Sequence, residues 1–125
     1  ISNLTAEKII KSYNDVHGIH GVLLRLTNIY GQHSQMKHSR YGVVNWFVRL
    51  GIDRKPIPIF GDGKIKRDFL FIDDCVEAVL LCGMNNNAVG EVINVGHDQP
   101  QNFLQVAEIL NEIDPSVNLT FTPFL

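Results

Sequence analysis

Cysteine is nearly missing from this chain of 125 residues. Cys75 and Cys82 lie seven positions apart in one apolar segment. On a helix that spacing separates them by about 10 Å, too far for a disulfide. A disulfide-stapled secreted scaffold is therefore excluded, and a reducing, cytoplasmic compartment is expected. The sequons at Asn3 and Asn118 then read as accidental. The sequence also lacks any apolar run approaching the roughly 18 residues of a membrane span, so no membrane partner is expected. No signal-peptide pattern opens the chain. An excess of one charge is missing too, since 11 basic residues against 13 acidic ones leave a net −2. That balance argues against nucleic acid as a partner. With 45% hydrophobic and 19% charged residues, the composition is that of a soluble globular chain.

What is present is alternation of helical and strand-like segments. Ala6, Ile9, Ile10, Tyr13 and His17 recur at helical spacing over residues 4–17, with Gly18 as a stop. Val22-Leu23-Leu24 predicts a strand buried on both faces and ending near Asn28. Val43, Val44, Phe47, Val48 and Gly51 predict a second helix. Ile57 and Ile59 predict a short strand whose prolines favour a sheet edge. A strand over 69–72 leads to a helix opened by Asp74, with Glu77 completing a capping box. Residues 91–95 form a further strand ending at Gly96. Asn102 with Gln105 caps the helix that carries Phe103, Val106, Ala107, Leu110 and Ile113, and Pro115 blocks its continuation. A last strand is expected over 119–122. The fold class is α/β with parallel pairings. The chain opens inside a helix and closes on a strand, so an excerpt of a larger protein is expected.

Several residues could carry chemistry. Asn28, following a buried strand, could donate to a phosphate or sugar oxygen, since ligands of open α/β sheets gather at strand carboxyl ends. Turn chemistry is the plainer reading of Asn28 and Gly31. Gly61-Asp62-Gly63 signals a turn, and Arg67 beyond it could clamp a diphosphate with two parallel hydrogen bonds. Lys64 and Lys66 read as solvated. A phosphate-binding P-loop is excluded, because neither the earlier glycine nor the Ser or Thr after Lys64 is present. The glycine spacing also fails the dinucleotide fingerprint. Asp73 and Asp74 read as a helix start. His33 and His38, five apart with no carboxylate or thiol nearby, make no metal site. His17 suits a helix C-terminus, and His97, after a strand, could face a ligand crevice.

Together these residues resemble the second half of an extended short-chain dehydrogenase, the NAD-dependent epimerase/dehydratase family acting on nucleotide sugars. "SNLTAEK" resembles the family's S-K-x-x-x-E segment, and "RLTNIYG" resembles R-x-x-N-x-Y-G. "KPIPIFGDGKIKRDFLFIDD" resembles KP-x-x-x-x-GDG-x-x-x-RDF-x-x-VDD, and "EVINVG" resembles the later NVG strand. The four matches occur in family order across nearly the whole chain.

The resemblance implies a portion of an extended Rossmann-type fold, with residues 1–31 ending the Rossmann-like part and 32–125 forming mainly the substrate-binding part. It implies a nucleotide-sugar substrate, with Asn28 and Arg67 on the diphosphate and the backbone of Pro58, Ile59 and Phe60 facing the base. In the family, a tyrosine removes a sugar hydroxyl proton while NAD accepts a hydride, and the resulting keto-sugar is processed further. The glycine-rich cofactor loop and that tyrosine would precede Ile1. NAD, or alternatively NADP, is thus expected in the complete protein, and this chain alone is expected to be inert. The family's catalytic lysine position falls on Asn3, a neutral amide. That departure motivates the alternative of a non-catalytic nucleotide-sugar or dinucleotide binding or sensing relative. A homodimer or self-association through exposed apolar surface is also expected.

Overall fold

The computed structural model describes residues 2–38, 40 and 42–123. Helix α1 spans Ser2–His17 and stops at Gly18, which takes φ 63°. Its Asn14 side chain donates to Gly21 O and accepts from Gly21 N, both at 2.9 Å, so the amide fastens the helix to the following turn. Strand β1 (Leu23–Leu26) follows, then β2 (Asn28–Tyr30), α2 (Val43–Ile52), β3 (Ile57–Phe60), β4 (Lys66–Arg67) and β5 (Phe69–Phe71). The second half contains α3 (Ile72–Met84), a 3-10 turn at Asn86–Ala88, β6 (Val92–Val95), β7 (Gln101–Asn102), α4 (Phe103–Ile113) and β8 (Leu119–Thr122).

Among the described residues, three of the four strand pairs are parallel: β1 with β6, β2 with β5, and β3 with β8. The fourth of these described pairs, β4 with β7, is antiparallel. This is the α/β pattern with parallel pairings that the interleaving predicts. One detail of the first strand differs from expectation. Leu23 is buried, but Leu26 is 40% exposed, because no layer among the described residues covers that end. The strand ends at Leu26, near Asn28 as expected, but strand pairing resumes at once with a different partner. Thr27 N donates to Val95 O and Asn28 N to Asp68 O, so the chain exchanges β6 for β5 as partner between these residues. Asn28 therefore begins a strand.

The core lies where α2 and α4 pack on the β3–β8 pair. Phe47, Ile57, Ile59, Ala107 and Val117 are buried there, with Trp46, Phe103 and Leu110 packed around them. Alternation along β3 turns Ile57 and Ile59 inward. Pro58 is tolerated because β8 is the strand's only described neighbour, the edge setting expected for it. The Gly61–Gly63 turn leads from β3 to β4, but these strands pair with β8 and β7 instead of forming a hairpin. Gly63 takes φ 68°, and a Cβ there would lie 2.6 Å from Ile59 Cγ2 and 2.9 Å from Leu104 Cβ. Only glycine meets both demands.

The capping box expected at Asp74 and Glu77 is absent. The N-cap of α3 lies three residues earlier, at Phe71, with no side-chain cap bond. Ile72 thus leaves the strand for the helix, and Asp73 and Asp74 complement the dipole of the first turn. At α4 the expected box is complete: Asn102 accepts from Gln105 N at 2.7 Å, and Gln105 accepts from Asn102 N at 2.9 Å. Cys75 and Cys82 both lie on α3 and are free. No described helix is long and apolar enough to cross a membrane.

Ile57→Ala is expected to destabilise the chain by about 2–5 kcal/mol in urea unfolding, because it leaves a cavity in a fully buried site. Ile113→Ala, at a position 75% exposed, is expected to stay within about 0.5 kcal/mol.

Candidate functional site

The partner switch at Thr27–Asn28 builds the site. Asn28 opens β2 opposite Phe69, while Arg67 closes β4 two residues before β5. Asn28 uses its backbone N–H (3.2 Å) and its Nδ2 (3.1 Å) to donate to the same carbonyl, that of Asp68. One Nδ2 hydrogen and the Oδ1 lone pairs remain for a ligand. Arg67 Nη1 donates to Lys66 O at 2.9 Å, and its guanidinium forms no salt bridge with a described residue. Both side chains are exposed and line one cleft of about 260 Å³, walled by Gly42, Val43, Phe69 and Phe103.

A second cleft of about 270 Å³ continues from it, sharing Val43 and Phe103. Pro58, Phe60 and Trp46 line this one, so it is apolar and aromatic where the first is cationic and amide-bearing. Ile59 points the other way, into the core. Lys64 and Lys66 line neither cleft, and the Lys64 ammonium lies in solvent 3.7 Å from Asp62 Oδ2.

A larger cavity, about 590 Å³, lies beside the first cleft and shares Tyr30, Val44 and Phe69 with it. His33 and His97 line it; Asn28 and Arg67 do not. Asn45 on its wall is 95% buried, accepts from Gly31 N at 3.3 Å, and leaves Nδ2 without a partner. Among the described residues, no cluster of three His, Cys, Asp or Glu side chains could hold a metal.

Asn3 stands exposed on the first turn of α1 and lines none of these cavities. The helix carrying it is tied to β1 by a two-pronged ion pair. Arg25 Nε donates to Glu7 Oε1 at 2.9 Å, and Nη2 donates to Oε2 at 2.7 Å. Those hydrogen bonds hold the Glu7 carboxyl below its ordinary value and push Arg25 up. No described helix opens on a glycine-rich turn: α3 follows Phe71, α4 follows Asn102, and α2 follows the lone Gly42.

The walls were less legible in the sequence than the polar groups. Phe103 reads there as a helix core residue, yet it packs against Phe47 and Phe69 and faces both clefts. Asp68, the acceptor that orients Asn28, had a signal only in its place between Arg67 and Phe69.

Residues 1–96 match the NAD dependent epimerase/dehydratase family, and the chain belongs to that family. Among its relatives, an uncharacterized UDP-glucose epimerase, YtcB of Bacillus subtilis, is 31% identical over 115 residues, 90% of this chain and 34% of that protein. UDP-glucuronic acid decarboxylase 1 of Arabidopsis thaliana is 35% identical over 120 residues, 95% of this chain and 27% of that protein. The crystal structure of UDP-glucose 4-epimerase with UDP-glucose from Thermotoga maritima superposes with a TM-score of 0.88 at 27% identity. It aligns with 96% of this chain and 38% of its own. UDP-glucuronic acid 4-epimerase from Bacillus cereus, in complex with UDP-glucuronic acid and NAD, gives a TM-score of 0.81 at 29% identity, with the same coverage. The chain spans about a third of the length of these relatives. Its fold is a portion of an extended Rossmann-type short-chain dehydrogenase.

Glu7→Gln tests the α1 tie. A depressed folded pKa means that the pair stabilises above the ordinary Glu value of 4.5 and that this contribution is lost as pH falls through the lower folded value. Thermal melts from pH 7 to 2 are expected to show a shallower acid-side loss for Glu7→Gln than for the unmodified chain.

Proposed function

We propose that this chain is the nucleotide-sugar-binding portion of an NAD-dependent nucleotide-sugar epimerase or dehydratase. Residues 1–31 would complete the Rossmann-like part and 32–125 would form mainly the substrate side. The observation that carries this reading is the convergence of Asn28 and Arg67 on one cleft that runs on into an apolar, aromatic one. A nucleoside diphosphate has matching polarity: two anionic phosphates at one end and a flat base at the other. Arg67 neutralises the diphosphate with parallel N–H donors, and Asn28 adds a neutral donor from its free Nδ2 hydrogen. Pro58 and Phe60 supply the surface for the base, the latter 47% exposed. Gripping this non-reacting part of the substrate lets binding energy orient the sugar for reaction.

NAD, bound by the remainder of the complete protein, supplies hydride transfer.

Asn3 favours a second reading, a relative that binds nucleotide sugars without turning them over. A neutral amide at the position of the family's lysine cannot supply the positive charge that lowers a neighbouring tyrosine's pKa. Reading the codons before Ile1 and assaying the full-length protein with NAD and UDP-glucose or UDP-glucuronic acid separates the two. A tyrosine four residues before Asn3 together with turnover eliminates the second reading; its absence together with tight binding favours it.

Exposed apolar side chains on α1 (Ile9, Val16) and α3 (Val79, Leu80, Met84) support self-association of the isolated chain. Light scattering is expected to show species larger than a monomer, and a monodisperse monomer counts against it.

In the full-length protein, Arg67→Ala is expected to weaken nucleotide-sugar binding by about 1.5–3 kcal/mol, the scale of a hydrogen bond to a charged group. Titration calorimetry measures this, and an unchanged affinity removes Arg67 from the site.

A further inference from the structure

The geometry points to Asp68 as the positioning residue of the cleft. Its carboxylate locks the end of β6 to the start of β5, so that Arg67 and Asn28 face the same ligand. This inference rests on the diphosphate reading of that cleft and adds to it a residue that never touches the ligand.

Asp68 lies at the junction of three chain segments. Its carbonyl accepts both donors of Asn28, at 3.2 and 3.1 Å. Its carboxylate accepts the backbone N–H of His97, at 3.0 Å to Oδ1 and 3.2 Å to Oδ2. The carboxylate is seated against Gly96, where a Cβ would lie 2.0 Å from Oδ2. Gly96 does not have a positive φ, so glycine is required there for room alone. Alternation along an extended segment does the rest, because successive side chains leave on opposite sides. Arg67 and Phe69 face the cleft, and Asp68 between them faces Gly96 and His97. Holding Asp68 on one side therefore holds Arg67 on the other, while the same residue's carbonyl aims the Asn28 amide. Without the carboxylate acceptor, the His97 N–H loses its partner and the tie from β5 to β6 is lost.

The test uses the full-length protein with UDP and dTDP as probes and compares Asp68→Ala, Asp68→Asn, Gly96→Ala and Arg67→Ala. Calorimetry gives the affinity, and hydrogen exchange gives the protection of the His97 amide. Asp68→Ala and Gly96→Ala are expected to weaken the better-bound nucleotide about tenfold and to speed His97 exchange about tenfold, the scale of one lost charged hydrogen bond. Asp68→Asn keeps an acceptor oxygen and is expected to restore both to within about threefold. The inference is overturned if Asp68→Ala leaves His97 protected, if it leaves affinity intact while Arg67→Ala abolishes it, or if Asp68→Asn is as damaging as Asp68→Ala. Failure of the diphosphate reading looks different. Neither nucleotide then binds the unmodified protein, or Arg67→Ala has no effect, while His97 exchange still responds to Asp68→Ala.

Discussion

One carbonyl oxygen organises the cleft. Asp68 O receives two hydrogens from Asn28, one from the backbone and one from the side chain. Accepting the first starts the β2–β5 pair, and accepting the second aims an amide that would otherwise rotate freely at the surface. The carboxylate of the same residue reaches the end of β6. Three chain segments distant in sequence are joined at one residue, and the polar end of the cleft is arranged around it. A shift of this junction by one position would reverse the faces of Arg67 and Asp68, since side chains alternate along extended backbone.

The partner switch at Thr27–Asn28 gives the site its location. Up to Leu26 the chain follows β6; from Asn28 it follows β5. Where strands part company, their side chains and carbonyls are left for a ligand, the general reason that crevices of α/β sheets gather at such points. Here the crevice grades from a guanidinium and an amide to an aromatic wall. Arg67 remains exposed, with no described carboxylate to neutralise it. That costs little in water and leaves its charge available to an anion.

The first helix stands apart from this arrangement. It buries no residue against the rest of the chain, and Glu7, Arg25 and Asn14 hold it through polar contacts. An exposed ion pair of this kind stabilises weakly, so the helix is oriented more than it is anchored. The helices α1 and α3 both leave large apolar side chains in solvent, Val16 and Met84 among them. Asn3 sits on α1, exposed and lining none of the cavities described.

Local chemistry made several features legible from residues alone. The period of Val43, Val44, Phe47 and Val48 specified α2, the Asn102–Gln105 box specified the start of α4, and Gly61 to Gly63 specified a turn. Each depends on contacts within a few residues, which a linear pattern records. Arg67 and Asn28 could be nominated for the same reason, as polar groups beside strands. Their convergence could not, because it depends on which strands pair, and pairing is decided by burial and hydrogen bonding between segments some 40 residues apart. The start of α3 at Ile72 follows from that same level: β5 ends when its pairing with β2 ends at Tyr30, whatever Asp74 and Glu77 could have capped. The sequence alone determined the elements and the chemical types available to the site. Tertiary structure decided which of them meet, because an alternating strand offers two faces and only a partner strand selects between them.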